Sequence, residues 1–273
     1  MHATAAGSGR QDRRDVPALR ARAGGPAERL AARVGGRHPA AAFFAALVCG
    51  FVVLAGLSLL LGLLVTDVLL HAGGVSRADE SIVESIVADR TPLLTDASAA
   101  GSAVGGSPVL PILVAVVALA SAARRRWGIA GFAAFVLLVE SATYRVTSVL
   151  LPRHRPEVQR LDHLPVNASY PSGHTAASVA VYAGFVLLLT SGIRSRAVRI
   201  AAWVVAVVVP LFVATSRVYR GMHHPIDVAG GALVGAGAID VMLFACRAAE
   251  AAARAPASGR SPVTPHGRRQ VAS

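Results

Sequence analysis

The sequence predicts an all-α membrane protein, built as a bundle of six transmembrane helices. Of its 273 residues, 54% are hydrophobic and the mean hydropathy is +0.55, which is too apolar for an ordinary soluble domain. The apolar residues are concentrated in long runs, and a helix needs about 20 such residues to cross a bilayer. We therefore expect one compact, polytopic membrane domain.

The two ends of the chain differ in composition from the segment between them. Residues 1–39 are rich in Ala, Gly and Arg, and residues 249–273 contain Arg, Ser and Pro, so both are predicted to be disordered tails. Residues 40–248 form the predicted six-span domain. The formal net charge of +12 could indicate nucleic acid as a partner, but the arginines are spread over loops and tails rather than one folded face. No nucleic acid is expected.

The first span is predicted at residues 40–65, which contain no charged residue. Residues 67–105 are interpreted as an acidic connection to the second span, at residues 106–123. Apolar residues in this connection follow helical spacing, at Ile82, Val83, Ile86 and Val87. Two interpretations remain open: an interfacial helix on the membrane surface, or a capping helix packed on the bundle.

The last four spans are predicted at residues 127–149, 171–193, 200–215 and 225–246. Charges within a span are costly unless they face the protein interior or a polar cavity. We expect Glu140 and Arg145 in the third span to compensate each other. Asp240 in the sixth span is expected to be a satisfied core carboxylate.

The connection between the last two spans contains residues suited to a reaction centre. His223 follows Arg217 by six residues and precedes Asp227 by four. This order supplies an anion clamp, a nucleophile or base, and a carboxylate that could hold the imidazole. Pro225 suits the first position of a helix, which places Asp227 in the first turn. Taken alone, the stretch is equally compatible with ordinary polar residues at a membrane edge.

Two further motifs precede this stretch: Arg153-His154-Arg155-Pro156 and Pro171-Ser172-Gly173-His174. The second begins a predicted helix, where free N–H groups and the helix dipole favour a bound phosphate. Together the three motifs resemble the signature of the type-2 phosphatidic acid phosphatase superfamily, the lipid phosphate phosphatases. The second and third motifs are complete. In the first, Ser148 stands where the family pattern has Lys, although the whole sequence lacks Lys.

The resemblance implies specific roles for residues of the three motifs. His223 would be the nucleophile that forms a phosphohistidine, Asp227 would hold it, and His174 would be the general acid. We expect phosphate oxygens to be bound by Arg155, Ser172, Gly173 and Arg217. Arg145 or Arg153 is expected to supply part of the charge of the missing Lys. No metal and no other cofactor is expected, because the arginines already provide positive charge and carboxylates near the site are few.

The distribution of arginine predicts the orientation in the membrane. Nineteen of the 27 arginines lie in the two tails and in the loops at 124–126 and 194–199, and eight lie on the opposite side. Positive residues favour the cytoplasm, so both termini are expected inside and the active site outside the plasma membrane.

These observations predict an integral-membrane lipid phosphatase. An outward-facing site at the membrane edge suits a lipid substrate, and undecaprenyl diphosphate is ranked first. Phosphatidic acid and phosphatidylglycerol phosphate are the alternative substrates. A non-catalytic phospholipid-binding or transport bundle is the alternative of another class.

Overall fold

The computed structural model describes residues 16–34 and 38–255, and across these ranges the chain forms helices without a β-strand. The described part of the chain begins with a 3-10 turn at Pro17–Leu19. The helices are α1 (Pro26–Arg33), α2 (Pro39–Leu63), α3 (Val75–Ala88), α4 (Pro92–Val104), α5 (Val109–Ala123), α6 (Trp127–Leu150), α7 (Gly173–Thr190), α8 (Arg196–Tyr219) and α9 (Pro225–Arg254). A π-helical turn, Leu64–Leu69, extends α2, and α7 contains another at Val179–Ala183.

Six helical segments are long and apolar enough to cross a membrane, which confirms the predicted fold. They are Pro39–Leu69, Pro92–Ala123, Trp127–Leu150, Gly173–Thr190, Arg196–Tyr219 and Pro225–Arg254. Large apolar side chains are exposed along α2, α5 and α8, as expected for helices whose outer faces contact lipid. The best-buried spans are α7, whose start completes the second motif, and α9, whose start completes the third.

The second span begins earlier than the sequence analysis placed it. Thr91 caps α4 by accepting a hydrogen bond from the Leu94 N–H, and Pro92 occupies the first helical position. The helix is interrupted at residues 105–108 and continues as α5. Helix α4 packs mainly on α8, whereas α5 packs on α6. Residues 67–105 are therefore not one connection, because residues 92–104 belong to a broken span.

Helix α3 covers one end of the bundle. Its buried side chains, Asp79 and Val83, face α8 and α9, and Ile82 on the other face is exposed. The contacts agree with the interpretation of α3 as a capping helix packed on the bundle.

Residues 16–34, which precede the first span, are packed on the bundle, so the prediction of a disordered tail over residues 1–39 is wrong for these residues. Leu19, Ala27 and Ala31 are buried against the last turns of α9. The Arg247 guanidinium also donates a hydrogen bond to the Ala18 carbonyl oxygen at 2.9 Å. The rest of the predicted N-terminal tail, residues 1–15 and 35–37, lies outside the described residues.

The end of the chain also differs from its predicted boundary. Helix α9 continues to Arg254, several residues past the expected domain end at 248. Residues 256–273 of the predicted C-terminal tail lie outside the described part of the chain.

Small residues bring α7 and α9 close together, as the Gly231 and Gly235 spacing predicts. A Cβ atom at Gly231 would overlap the Ser172 carbonyl oxygen, and one at Gly235 would overlap the Ala176 carbonyl oxygen. This contact fixes the start of the second motif against the helix that follows the third.

Two predictions about charges within the spans are wrong. Glu140 is buried, but among the described residues it forms no ion pair with Arg145, which is exposed. Asp240 is exposed on α9 rather than satisfied in the core. Helical spacing could not predict either outcome, because it shows which residues share a helix face but not which other helix, or lipid, packs against that face.

Candidate active site

The three sequence motifs meet at one end of the bundle. The loop at 151–172 carries the first motif and the start of the second, and the third runs from the last turn of α8 to the first turn of α9. Arg155 contacts His223, and the Ser172 N–H donates to the Asp227 carbonyl oxygen at 2.9 Å. The structure therefore brings together residues that are far apart in the sequence.

His223 is held in one tautomer by its surroundings. Its Nδ1 lies 2.7 Å from the Ser169 carbonyl oxygen, which can only accept a hydrogen bond. Nδ1 therefore carries the proton, and Nε2 presents a lone pair. The side chain is buried, and this burial, followed by the positive charge of Arg155, lowers the pKa of His223 well below its ordinary range. The imidazole is neutral at physiological pH.

Asp227 holds His223 through Ser169 rather than directly. Its Oδ2 lies 3.9 Å from His223 Nδ1, which is too long for a hydrogen bond. The same oxygen accepts from the Ser169 hydroxyl at 2.6 Å and from the His224 N–H at 2.9 Å. The expectation that Asp227 binds the imidazole directly is therefore wrong in this structure, since Ser169 stands between them.

Arg155 is fixed by backbone carbonyl groups. Its Nε donates to Pro165 at 2.8 Å, Nη2 donates to Ala168 at 2.9 Å, and Nη1 donates to Met222. Nη1 also lies 3.3 Å from Nε2 of His223. A rigid cation therefore adjoins the lone pair of the predicted nucleophile.

Arg217 has unused hydrogen-bond donors in a buried position. Its Nη1 donates to Asp162 and to Ser102, each at 2.7 Å. Within the described part of the chain, Nε and Nη2 have no partner, although the residue is only 1% exposed. Buried donors without an acceptor are costly, so an anion bound beside them would be stabilised.

Asp162 is a site residue that the sequence analysis missed. It accepts from Arg217, and it also pairs with Arg220, with Nη2 at 2.5 Å from Oδ1. Burial alone would raise the pKa of Asp162, but the hydrogen bond from Arg220 and the charge of Arg217 outweigh it and lower the pKa to about 2. Asp162 is therefore ionised and fixes both arginines.

Arg153 is not placed to bind phosphate. Its Nη1 pairs with Asp227 and its Nη2 with Asp79 of α3, at 2.7 Å for the second pair. It is also not among the residues that line the cavity described below. Arg153 instead neutralises two buried carboxylates, which corrects the expectation that it replaces the missing Lys at the phosphate.

His224 adds a second link between α3 and the third motif. Its Nε2 lies 2.7 Å from Glu80, and its Nδ1 lies 3.2 Å from Asp227. Burial lowers the pKa of His224, but the hydrogen bond with Asp227, the charge of Asp227 and the contact with Glu80 together raise it. α3 thus contributes acidic groups that hold the motif in place.

The second motif starts α7 as predicted, with Ser172 at the N-cap position. The Ser172 hydroxyl does not cap the helix; it pairs with Thr175 Oγ1 at 3.0 Å, and its N–H is already bonded to Asp227. Gly173 and His174 are half-buried and face the cavity. Of the predicted phosphate contacts in this motif, the structure therefore supports Gly173 more directly than Ser172.

A cavity of about 350 Å³ connects the site with the apolar interior of the spans. It is lined at one end by His223, Arg155, His174 and Gly173, and at the other by Leu110, Pro111 and Leu137. Arg145 also lines it, whereas Ser148 is buried and donates to the Arg145 carbonyl oxygen. Arg145 is therefore the cation available one helical turn from the position of the missing Lys.

Comparison with known proteins identifies the family of the chain. A family model of the PAP2 superfamily matches residues 129–247. Phosphatidylglycerophosphatase B of Bacillus subtilis is 31% identical over 187 residues, which cover 65% of this chain and 88% of that protein. The chain belongs to the PAP2 superfamily.

Further matches add detail to the PAP2 assignment. A crystal structure of a transmembrane PAP2-type phosphatidylglycerolphosphate phosphatase from Bacillus subtilis superposes with a TM-score of 0.59, at 25% identity, and covers 72% of this chain and 92% of that one. An undecaprenyl-diphosphatase of Sulfolobus acidocaldarius is 36% identical over 75 residues, which cover 28% of this chain and 32% of that protein.

The PAP2 assignment identifies the chain as a multi-pass membrane phosphatase. PAP2 phosphatases are phosphoric ester hydrolases that do not require a metal. In residues 16–34 and 38–255, no group of three or more His, Cys, Asp or Glu side chains is arranged to hold a metal ion.

Proposed function

We propose that this PAP2 enzyme removes the terminal phosphate from a membrane lipid through a phosphohistidine on His223. One contact carries the proposal: Nε2 of His223, which has a free lone pair, lies 3.3 Å from Nη1 of the fixed Arg155 guanidinium. Arg217 does not line this cavity, but it adds two buried donors that have no partner within the described residues. Gly173 opens a helix N-terminus onto the cavity, so the proposed nucleophile, Arg155 and Gly173 face one space.

In the first step, His223 Nε2 attacks phosphorus and forms the N–P bond. The bond from phosphorus to the leaving oxygen breaks, and His174 donates a proton to that oxygen. Positive charge that develops on the imidazole is stabilised through Nδ1–H, the Ser169 carbonyl and the nearby Asp227 carboxylate. The guanidinium groups of Arg155 and Arg217 bind the equatorial oxygens.

In the second step, water replaces the departed alcohol or phosphate. His174, now neutral, takes a proton from the water as it attacks phosphorus. The N–P bond breaks, inorganic phosphate is released and His223 returns to its neutral form.

The relatives change the order of substrates that the sequence suggested. The match to phosphatidylglycerophosphatase B extends over most of both chains, whereas the match to the undecaprenyl-diphosphatase covers about a third of that protein. We therefore place phosphatidylglycerol phosphate first. Undecaprenyl diphosphate is the second candidate, supported by the shorter match and by the outward orientation that the arginine distribution favours.

The test is phosphate release by the purified full chain in detergent micelles. The panel contains phosphatidylglycerol phosphate, undecaprenyl diphosphate, phosphatidic acid and a water-soluble phosphate monoester. We expect phosphatidylglycerol phosphate to have the highest kcat/KM. His223→Ala should lower release by at least about a thousandfold, and wild-type enzyme quenched in alkaline denaturant should carry phosphate on histidine that is stable in base and lost in acid.

Three outcomes would contradict the proposal. Preference for the soluble ester would exclude a lipid as the main substrate. Near wild-type activity of His223→Ala would exclude His223 as the nucleophile. If the wild-type protein bound lipid phosphates but released no inorganic phosphate from them, a non-catalytic binding or transport bundle would be favoured.

The proposed orientation has its own test. With both native cysteines replaced, a single cysteine at Asn167 should react with an impermeant thiol reagent in intact cells, whereas one at Arg125 should not. The reverse labelling would place the active site on the cytoplasmic side.

A further inference from the structure

Glu140 is a buried carboxylate that the phosphatase mechanism does not use. It lies on α6, is 1% exposed and lines the cavity that contains His223 and His174. Its Oε2 accepts one hydrogen bond, from the Ser141 hydroxyl at 3.0 Å, and Oε1 has no partner among the described residues. A buried carboxyl oxygen without a donor is costly, so this position calls for an explanation.

The place of Glu140 along the cavity follows from helix geometry. Tyr144 is four residues later on α6, so it lies about 6 Å nearer the outer end. A Cβ atom at Gly173 would lie 3.3 Å from the Tyr144 ring, which places Tyr144 beside the N-terminus of α7, where phosphate is expected. Glu140 is therefore one helical turn deeper, on the side toward Leu137 and the apolar interior.

In a substrate whose tail lies along this cavity, the group that joins the scissile phosphate to the lipid passes Glu140. A second phosphate at this position would face the acceptor oxygens of Glu140, and an ionised Glu140 would repel the phosphate. An alkyl chain would leave Oε1 without a donor. A hydroxyl satisfies a carboxyl group in either protonation state, because a hydroxyl both donates and accepts.

We propose that Glu140 forms a hydroxyl-binding subsite, which selects lipids whose scissile phosphate is attached to a polyol such as glycerol. This inference rests on the proposed phosphatase function and extends it to the headgroup. Phosphatidylglycerol phosphate has a free hydroxyl on the glycerol between its two phosphates, whereas undecaprenyl diphosphate has none. Glu140 is thus a specificity residue that touches the leaving group.

The direct test compares two substrates that differ by one hydroxyl. Phosphatidylglycerol phosphate and phosphatidylpropanediol phosphate, which lacks the central hydroxyl, have the same charges and acyl chains. With wild-type full-length protein in micelles, we expect kcat/KM to be at least about tenfold higher for the hydroxylated lipid. This comparison needs no variant.

Two substitutions then assign the preference to Glu140. Glu140→Leu should lower kcat/KM for phosphatidylglycerol phosphate about tenfold and leave the propanediol substrate within about twofold, so that the ratio approaches one. Glu140→Gln keeps the shape and a hydrogen-bonding group, and it should restore part of the ratio. Asp240→Asn removes an exposed carboxylate on α9 that does not line the cavity, and it should keep the full ratio.

Equal wild-type kcat/KM for the two lipids would overturn the subsite while leaving the phosphatase function intact. An unchanged ratio in Glu140→Leu would also overturn it. If Glu140→Leu did not fold, the wild-type comparison and Glu140→Gln would decide. If the wild-type protein released phosphate from no lipid, the proposed function would fail, and the subsite with it.

Discussion

The Ser169 carbonyl oxygen accepts a hydrogen bond from Nδ1–H of His223 at 2.7 Å, and the Ser169 hydroxyl donates one to Asp227 at 2.6 Å. One residue therefore fixes the imidazole with its backbone and the carboxylate with its side chain. Because the carbonyl remains in any Ser169 variant, the two functions can be separated by mutation.

Ser169→Ala should lower kcat about tenfold with little change in KM. The substitution keeps the carbonyl that orients His223 but removes a donor from Asp227, at a cost of about 1–2 kcal/mol. The measurement is phosphate release at saturating lipid. Ser178→Ala is the matched control, because that buried hydroxyl donates only to the Thr175 carbonyl within α7. A kcat for Ser169→Ala equal to that of the control would show that Asp227 does not depend on Ser169.

Replacing Arg153 by alanine should mainly lower stability, whereas replacing Arg145 by alanine should mainly lower activity. Loss of Arg153 leaves Asp79 and Asp227 buried without their cation, so the free energy of unfolding should fall by about 3–5 kcal/mol and Tm with it. Arg145 is exposed at the cavity, so Arg145→Ala should lower kcat/KM about tenfold or more and change stability by less than about 0.5 kcal/mol.

Thermal unfolding in micelles and kinetics on the same preparations separate these two effects. If Arg153→Ala kept the wild-type Tm, its pairing with the two carboxylates would not stabilise the fold. If Arg145→Ala kept the wild-type kcat/KM, the enzyme would operate without a replacement for the family lysine.

The acid limb of the pH–kcat/KM profile should lie well below pH 6.5. Burial and the Arg155 charge lower the pKa of His223, so its neutral form, which is the proposed nucleophile, persists as the pH falls below the ordinary histidine pKa of about 6.5. The ionisation of the substrate phosphate is measured separately by phosphorus NMR and subtracted. An acid limb at or above pH 6.5 that comes from an enzyme group would contradict a neutral His223.

Gly231→Ala should damage both stability and activity. The new Cβ would overlap the Ser172 carbonyl oxygen and push the second motif away from α9, at a cost of about 1–3 kcal/mol. Gly56→Ala on α2 is the control, because a Cβ there meets no atom within 4 Å. We expect Gly56→Ala to keep the wild-type Tm and phosphate release. A Tm for Gly231→Ala equal to that of Gly56→Ala would show that the helices tolerate a wider spacing.

Activity should survive chelation. Purified enzyme treated with EDTA and then dialysed should retain its phosphate release, since the proposed mechanism takes the positive charge at the phosphate from arginines. Loss on treatment with EDTA, followed by recovery on addition of Mg²⁺, would contradict the arginine-based mechanism.

The sequence predicted the parts of the site that depend on side-chain type at a fixed spacing. Arg155, His174 and His223 lie in ordered motifs, and the six apolar runs that bring them together were confirmed. Ser169 could not be predicted, because its contact with His223 uses a backbone carbonyl that any residue could supply. Asp162 lies in an irregular loop, where no periodicity indicates which residues it will meet.

The start of the second span was missed for a related reason. Residues 92–104 contain polar side chains that are typical of a loop, and the sequence does not show their partners. In the structure, Ser98 accepts a hydrogen bond from Arg220, and Ser102 accepts one from Arg217. The polar residues therefore belong to a membrane helix that holds the arginines of the third motif.

The cavity that descends from His223 to Leu137 also has a kinetic consequence. Leu137 lies 13 residues before the end of α6, so it is about 20 Å along the helix from the end that carries the candidate site. A lipid that enters there arrives by sideways diffusion within the bilayer, so its density per unit of membrane area sets the rate of encounter. Diluting the substrate with inert phospholipid should slow turnover, even when the number of substrate molecules per volume of buffer is unchanged.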